Sequence, residues 1–103
     1  MIKVSVLYPN TEGKKFDMAY YCNTHLPFVQ KTLGAACKRV AVEAGLSGAQ
    51  PGSRAPYIAM GHLYFESVEA FQSSFVPHAK TFMENLPNYT DIEPTVQISE
   101  VKI

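Results

Sequence analysis

Tyr57-Ile-Ala-Met-Gly-His-Leu-Tyr-Phe65 is a nine-residue run with apolar side chains on both faces when read at a period of two. A strand of that kind belongs in the middle of a sheet, covered on both sides. Working backward from it, Gly45, Gly48, Pro51, Gly52 and Pro56 forbid regular structure and predict a long, mobile hairpin connection. A connection of about 12 residues is uncommon unless it is functional or disordered. Before that loop, Lys38 to Ala44 alternates again, with Val40 and Val42 on one face and Arg39, Ala41 and Glu43 on the other. These two strands form a hairpin.

Working forward, Ser67 caps a helix with Glu69 in its first turn, and Phe71 and Phe75 lie one turn apart on a core face. Pro77 interrupts that helix, because proline fits only the first turn of a new one, which carries Ala79, Phe82, Met83 and Leu86. Pro87-Asn88 ends the second piece, and Thr95 to Ile103 alternates as a last strand, Val96 and Ile98 opposite Gln97 and Ser99. At the amino terminus Ile2, Val4, Val6 and Tyr8 mark a first strand that stops at Pro9-Asn10. Asp17 then caps a helix whose apolar positions recur to Leu33, where Gly34 closes it. The order strand, helix, strand, strand, helix, strand is the split βαβ pattern: an α+β domain with one four-stranded antiparallel sheet and both helices on one face.

The other face of that sheet is left bare. Leu7, Met60 and Tyr64 fall there with Ser5, Arg39, His62 and Gln97, a mixture too apolar for a solvated monomer surface and too polar for a dry core. Two copies that bring these faces together bury the apolar members, which predicts a homodimer.

Length and composition set the remaining bounds. The chain has 103 residues, 47% of them hydrophobic and 17% charged, as expected for one globular domain spanning residues 1 to 103. Nine basic side chains balance nine acidic ones, so no positive field drives counterion release, and nucleic acid is not expected as a partner. No stretch approaches the roughly 20 apolar residues of a membrane span. The opening Met1 to Tyr8 is too short and too alternating for a signal-peptide core. Cys22 and Cys37 stand apart without metal-ligand spacing and read as reduced thiols, so a cytoplasmic location is expected.

The local signal above background is Phe16-Asp-Met-Ala-Tyr-Tyr21-Cys-Asn-Thr-His25-Leu-Pro27. Tyr21 and His25 share a helix face, and Pro27 cannot bond the Asn23 carbonyl, so the helix is expected to distort beside His25. Such a histidine at a cavity mouth can pass a proton to or from a ligand, with Tyr21 as partner. The structural alternative is that the imidazole satisfies a carbonyl freed by the kink. His62 is mid-strand, where cross-strand packing is the ordinary role, and His78 follows a helix-start proline. The three histidines share no metal-ligand spacing, and no phosphate loop or nucleophile elbow is present, so no metal or cofactor is expected.

Taken together, these residues resemble the EthD family of the dimeric α+β-barrel superfamily. The likeness is carried by Tyr20-Tyr21 with His25-Leu26-Pro27, by Gly61 through Phe65 with Ser67 and Phe71, and by Asn88-Tyr89-Thr90 leading to Pro94, Gln97 and Glu100. It implies a ferredoxin-like protomer that dimerises through its sheet. It also implies a part in bacterial degradation of ethers and other organic compounds, with His25 as a site residue. Superfamily relatives include cofactor-free monooxygenases, isomerases, decarboxylases and haem enzymes, so fold alone does not choose a reaction.

The expected function is binding of a small apolar, oxygenated molecule between sheet and helices. His25 acts there as acid or base and Tyr21 as its partner, in cofactor-independent oxidoreductase, isomerase or decarboxylase chemistry. Met60, His62 and Tyr64 are expected to line the same cavity, and Arg39 to meet a carboxylate or enolate. The alternative is a non-catalytic accessory or binding protein supporting an oxidase system.

Overall fold

The computed structural model describes residues 1–103. Its strands are β1 (Ile2–Pro9), β2 (Arg39–Ala44), β3 (Tyr57–Phe65) and β4 (Thr95–Glu100). They form one antiparallel sheet in the order β2-β3-β1-β4, so β3 and β1 occupy the centre. The continuous apolar character of Tyr57–Phe65 has half the cause the sequence suggested: the strand is central, with a neighbour on either side, but the helices cover one of its faces and leave the other free. The architecture is α+β and ferredoxin-like. No helix is long and apolar enough to cross a membrane.

The first helical segment is three pieces in continuous succession: α1 (Met18–Tyr20), a π-helical turn (Tyr21–His25) and α2 (Leu26–Leu33). Asp17 caps it, its carboxylate accepting from the Tyr20 N–H at 3.0 Å. Pro27 is the reason for the wide turn. It has no N–H to give, and the chain answers by widening, so that the Leu26 N–H reaches back to the Tyr21 carbonyl. The second segment is α3 (Val68–Phe75), a 3₁₀ turn over Val76–His78 that accommodates Pro77, α4 (Ala79–Asn85) and a closing 3₁₀ turn, Leu86–Asn88. Ser67 caps α3 by accepting from the Ala70 N–H at 3.1 Å.

Register fixes which side chains meet the helices. Val4 pairs with Leu63 and Val6 with Gly61 across β1 and β3, and Val6 pairs with Val96 across β1 and β4. These point toward the helices, where Val4, Leu63 and Phe65 pack against Val29, Leu33 and Phe82. Each large aliphatic or aromatic side chain so buried stabilises the fold by about 2 kcal/mol. Beside this aliphatic half lies an aromatic one: Tyr8, Tyr21 and Tyr89 pack with Leu26 and Ile92.

The opposite parity, Ser5 with His62, Leu7 with Met60 and Arg39 with Tyr64, lies on the helix-free face. The Gly45 to Pro56 connection is tied down at several points. Asn10 donates to the Ala55 carbonyl at 3.0 Å, Arg54 Nε donates to the Asn10 carbonyl at 3.1 Å, and the Gly45 N–H bonds the Ile58 carbonyl at 2.9 Å. A side chain at Gly45 would overlap the Tyr57 carbonyl, which explains the glycine there. The mobile loop expected from its breakers is thus a pinned one.

Candidate functional site

Between the helices and the sheet lies a cavity of about 400 Å³. Its walls are largely apolar: Val4, Val6 and Leu63 from the sheet, and Val29, Phe75 and Phe82 from the helices. It reaches the surface between α4 and β4, where Met83 and Val96 line it while remaining 72% and 56% exposed. Glu93, also exposed, is a further lining residue. A volume of this size suits a small organic molecule.

His25 and Tyr21 are the sequence-predicted residues that line this cavity. The π turn sets both on its inner side, with their rings stacked at 5.7 Å and 19° apart. Tyr89 closes against the imidazole at 4.6 Å. Glycine is required at position 61, because a Cβ there would overlap the Tyr21 hydroxyl oxygen. The strand thins at that point so that the tyrosine can lie across it.

Burial governs the electrostatics. His25 is 6% exposed, and desolvation lowers its pKa from 6.5 to about 4, so the ring is neutral near pH 7. Desolvation also pushes the Tyr21 phenol up, and Tyr89 up to about 12. Tyr8 and Tyr89 share a hydroxyl hydrogen bond of 2.9 Å. These phenols are therefore protonated donors throughout the physiological range.

The imidazole does not satisfy a carbonyl freed by Pro27, as the structural alternative would have it. Its Nδ1 lies 2.6 Å from the side-chain nitrogen of Asn85, at the end of α4. Asn85 Oδ1 in turn accepts from the Tyr20 hydroxyl at 3.1 Å and from Asn88 Nδ2 at 2.6 Å. Asn85 is the residue that sequence reading missed. A polar side chain on the rim of a helix carries no local mark, and the one hint was the Asn88-Tyr89 pair just beyond it.

The other four expected ligand residues are not at this cavity. Met60, His62, Tyr64 and Arg39 belong to the strand parity that faces away from the helices, so the sheet itself separates them from His25. His62 is held between strands, with Nδ1 2.9 Å from Ser5 Oγ and Nε2 3.0 Å from Glu43 Oε1. Arg39 lies over the Tyr64 ring, 5.1 Å from its centroid, and has no access to a ligand beside His25. A second hollow, of about 470 Å³, opens on that outer face and is lined by Lys3, Ser5, Leu7, Met60 and Tyr64 with Gln97 and Ser99 of β4. His78 sits in the 3₁₀ turn against Phe82, so the three histidines are in three separate places.

The EthD domain model matches residues 11–93, from the β1–α1 connection through the Glu93 that lines the cavity. The chain belongs to the EthD family. Among solved structures, an EthD-like protein from Ralstonia eutropha is 44% identical with a TM-score of 0.95, covering 99% of this chain and 92% of its own. An ethyl tert-butyl ether D (EthD) family protein from Bacillus halodurans shares the fold at 22% identity and a TM-score of 0.68, covering 99% of each chain. An Arabidopsis thaliana protein does so at 16% identity and a TM-score of 0.68, covering 100% of this chain and 97% of its own. No curated protein matches this EthD chain.

Proposed function

We propose that this EthD-family protein binds a small, largely apolar, oxygenated organic molecule in the cavity between sheet and helices, and that His25 with Tyr21 acts on it without a cofactor. The observation that carries this reading is the buried, neutral His25 set into a largely apolar wall. An apolar pocket with few polar groups selects the body of a ligand by burial and its orientation by one or two hydrogen bonds. The Bacillus halodurans relative takes its family name from ethyl tert-butyl ether, a compound of this class.

A carrier without chemistry is the second reading, favoured by a single feature. With a pKa of about 4, His25 holds no dissociable extra proton near pH 7. Titration calorimetry with ethyl tert-butyl ether, on the wild type and on His25→Leu, separates the two readings. A site at which His25 acts on the ligand predicts saturable binding that weakens about tenfold in the variant, the worth of roughly one hydrogen bond. A carrier predicts unchanged affinity. Absence of saturable binding to the wild type counts against both.

The proposal extends to assembly. Two copies joined through the helix-free sheet faces cover Leu7, Met60 and Tyr64, which are half-buried in the single chain. Arg39, Met60, His62 and Tyr64 then belong to the interface instead of the cavity wall. With two unpaired thiols, Cys22 exposed and Cys37 buried, we place the protein in the cytoplasm.

A further inference from the structure

We propose that Asn85 is the positioning residue of the site, fixing His25 as the Nε2–H tautomer so that the ring offers a hydrogen-bond donor, and no base, to an acceptor oxygen of the ligand. The inference rests on the cavity being the ligand site, and it narrows the ligand class to molecules with an apolar body and an oxygen that accepts a hydrogen bond, an ether or a carbonyl.

The orientation of Asn85 is set from outside the site. Its oxygen accepts from two donors, the Tyr20 hydroxyl at 3.1 Å and Asn88 Nδ2 at 2.6 Å. That leaves its amide N–H to face His25 Nδ1 at 2.6 Å, and a nitrogen that accepts a proton cannot also carry one. Reversing Asn85 would force Asn88 to reverse too, and would turn the Tyr20 hydroxyl from donor to acceptor, its own proton left to the 3.4 Å contact with Asn88 or to solvent in place of the 3.1 Å bond. The ring proton of a neutral His25 therefore sits on Nε2.

Nε2 has no hydrogen-bond partner in the protein, yet no buried side-chain polar atom is both sealed from solvent and unpaired, so Nε2 keeps access to open space. The open space that the ring lines is the cavity. A neutral imidazole whose lone pair is occupied acts as an electrophile: it polarises a carbonyl by donating and gains little from removing a proton. The lowered His25 pKa agrees, since burial disfavours the imidazolium that a base would become.

Two probes of one shape test this: acetophenone, whose carbonyl accepts, and α-methylstyrene, in which a methylene replaces that oxygen. Nitrogen-15 spectra of histidine-labelled wild type report directly which ring nitrogen of His25 bears the proton, with no variant required. The expected result is Nε2–H, with acetophenone bound about tenfold more tightly than α-methylstyrene, the worth of roughly one hydrogen bond. Asn85→Asp places a carboxylate against Nδ1, draws the proton there and turns Nε2 into an acceptor. Its preference for acetophenone should disappear, and the spectrum should show the changed tautomer.

A wild-type proton on Nδ1 overturns the inference while leaving the cavity reading intact. Equal affinity for the two probes does the same. Failure of both probes to saturate, with Nε2–H observed, overturns the ligand assignment through the cavity reading itself.

Discussion

His25 is the residue on which the proposed chemistry turns, and its burial has a consequence for stability. In the folded chain its pKa is about 4, against 6.5 for a free histidine. Between those values the unfolded chain takes up a proton that the folded one refuses, so stability falls as pH is lowered through this window. The loss by pH 4 should be on the order of 3 kcal/mol, and urea denaturation between pH 7 and pH 4 measures it. Asp91, whose carboxyl is held low by the Lys15 N–H, adds its own loss only below this window. His25→Leu should flatten the wild-type profile. His25 and Tyr21 could be read from sequence because Tyr-x-x-x-His-x-Pro is local, and a proline inside a helix must be accommodated within a turn of itself. Asn85 could not, since it meets His25 from 60 positions away and only the packing of α4 brings them together.

At the scale of elements, the site depends on where the first helical segment begins and how it widens. Asp17 holds its start through the bond to the Tyr20 N–H, and Tyr21 follows directly. Asp17→Ala should cost about 1 kcal/mol in chemical denaturation, with helix content by circular dichroism little changed. Asp17→Asn, which keeps an acceptor oxygen, should recover most of that loss. The caps at Asp17 and Ser67 and the break at Pro77 were all legible, because each is decided by the chemistry of one or two residues. A distortion beside His25 was legible too. Its form, a π turn with the Leu26 N–H bonded to Tyr21, was not, since a proline in a helix can also be met by a kink or by a chain end. The Gly45 to Pro56 connection shows the opposite error. Its composition signals irregular backbone correctly, yet composition says nothing of the bonds from Asn10 and Arg54 that secure it.

For the molecule as a whole, the sheet has one face filled by helices and one that they leave free. The strand order, with β1 and β3 central, follows from the apolar run of Tyr57–Phe65 and from the way a split βαβ chain returns its last strand beside its first. Strand parity also gave the residues of the free face correctly. The misplacement of Met60, His62, Tyr64 and Arg39 at the His25 cavity arose from pooling two faces into one site, which a period of two forbids for residues of that parity. The free face predicts assembly. Sedimentation at micromolar concentration should give twice the chain mass for the wild type, and Leu7→Glu, a charge at the centre of that face, should give the single-chain mass with the fold retained. A wild type that sediments as a single chain would remove the interface from the account.

The central claim is that the ligand site lies between sheet and helices, beside His25. Soaking crystals of the protein with iodobenzene and locating the iodine by its anomalous scattering tests that most directly. The account predicts one strong peak inside the cavity, among Val29, Leu63 and Phe82 and within reach of the His25 ring. A peak confined to the outer hollow beside Leu7, Met60 and Tyr64, with the inner cavity empty, would contradict it.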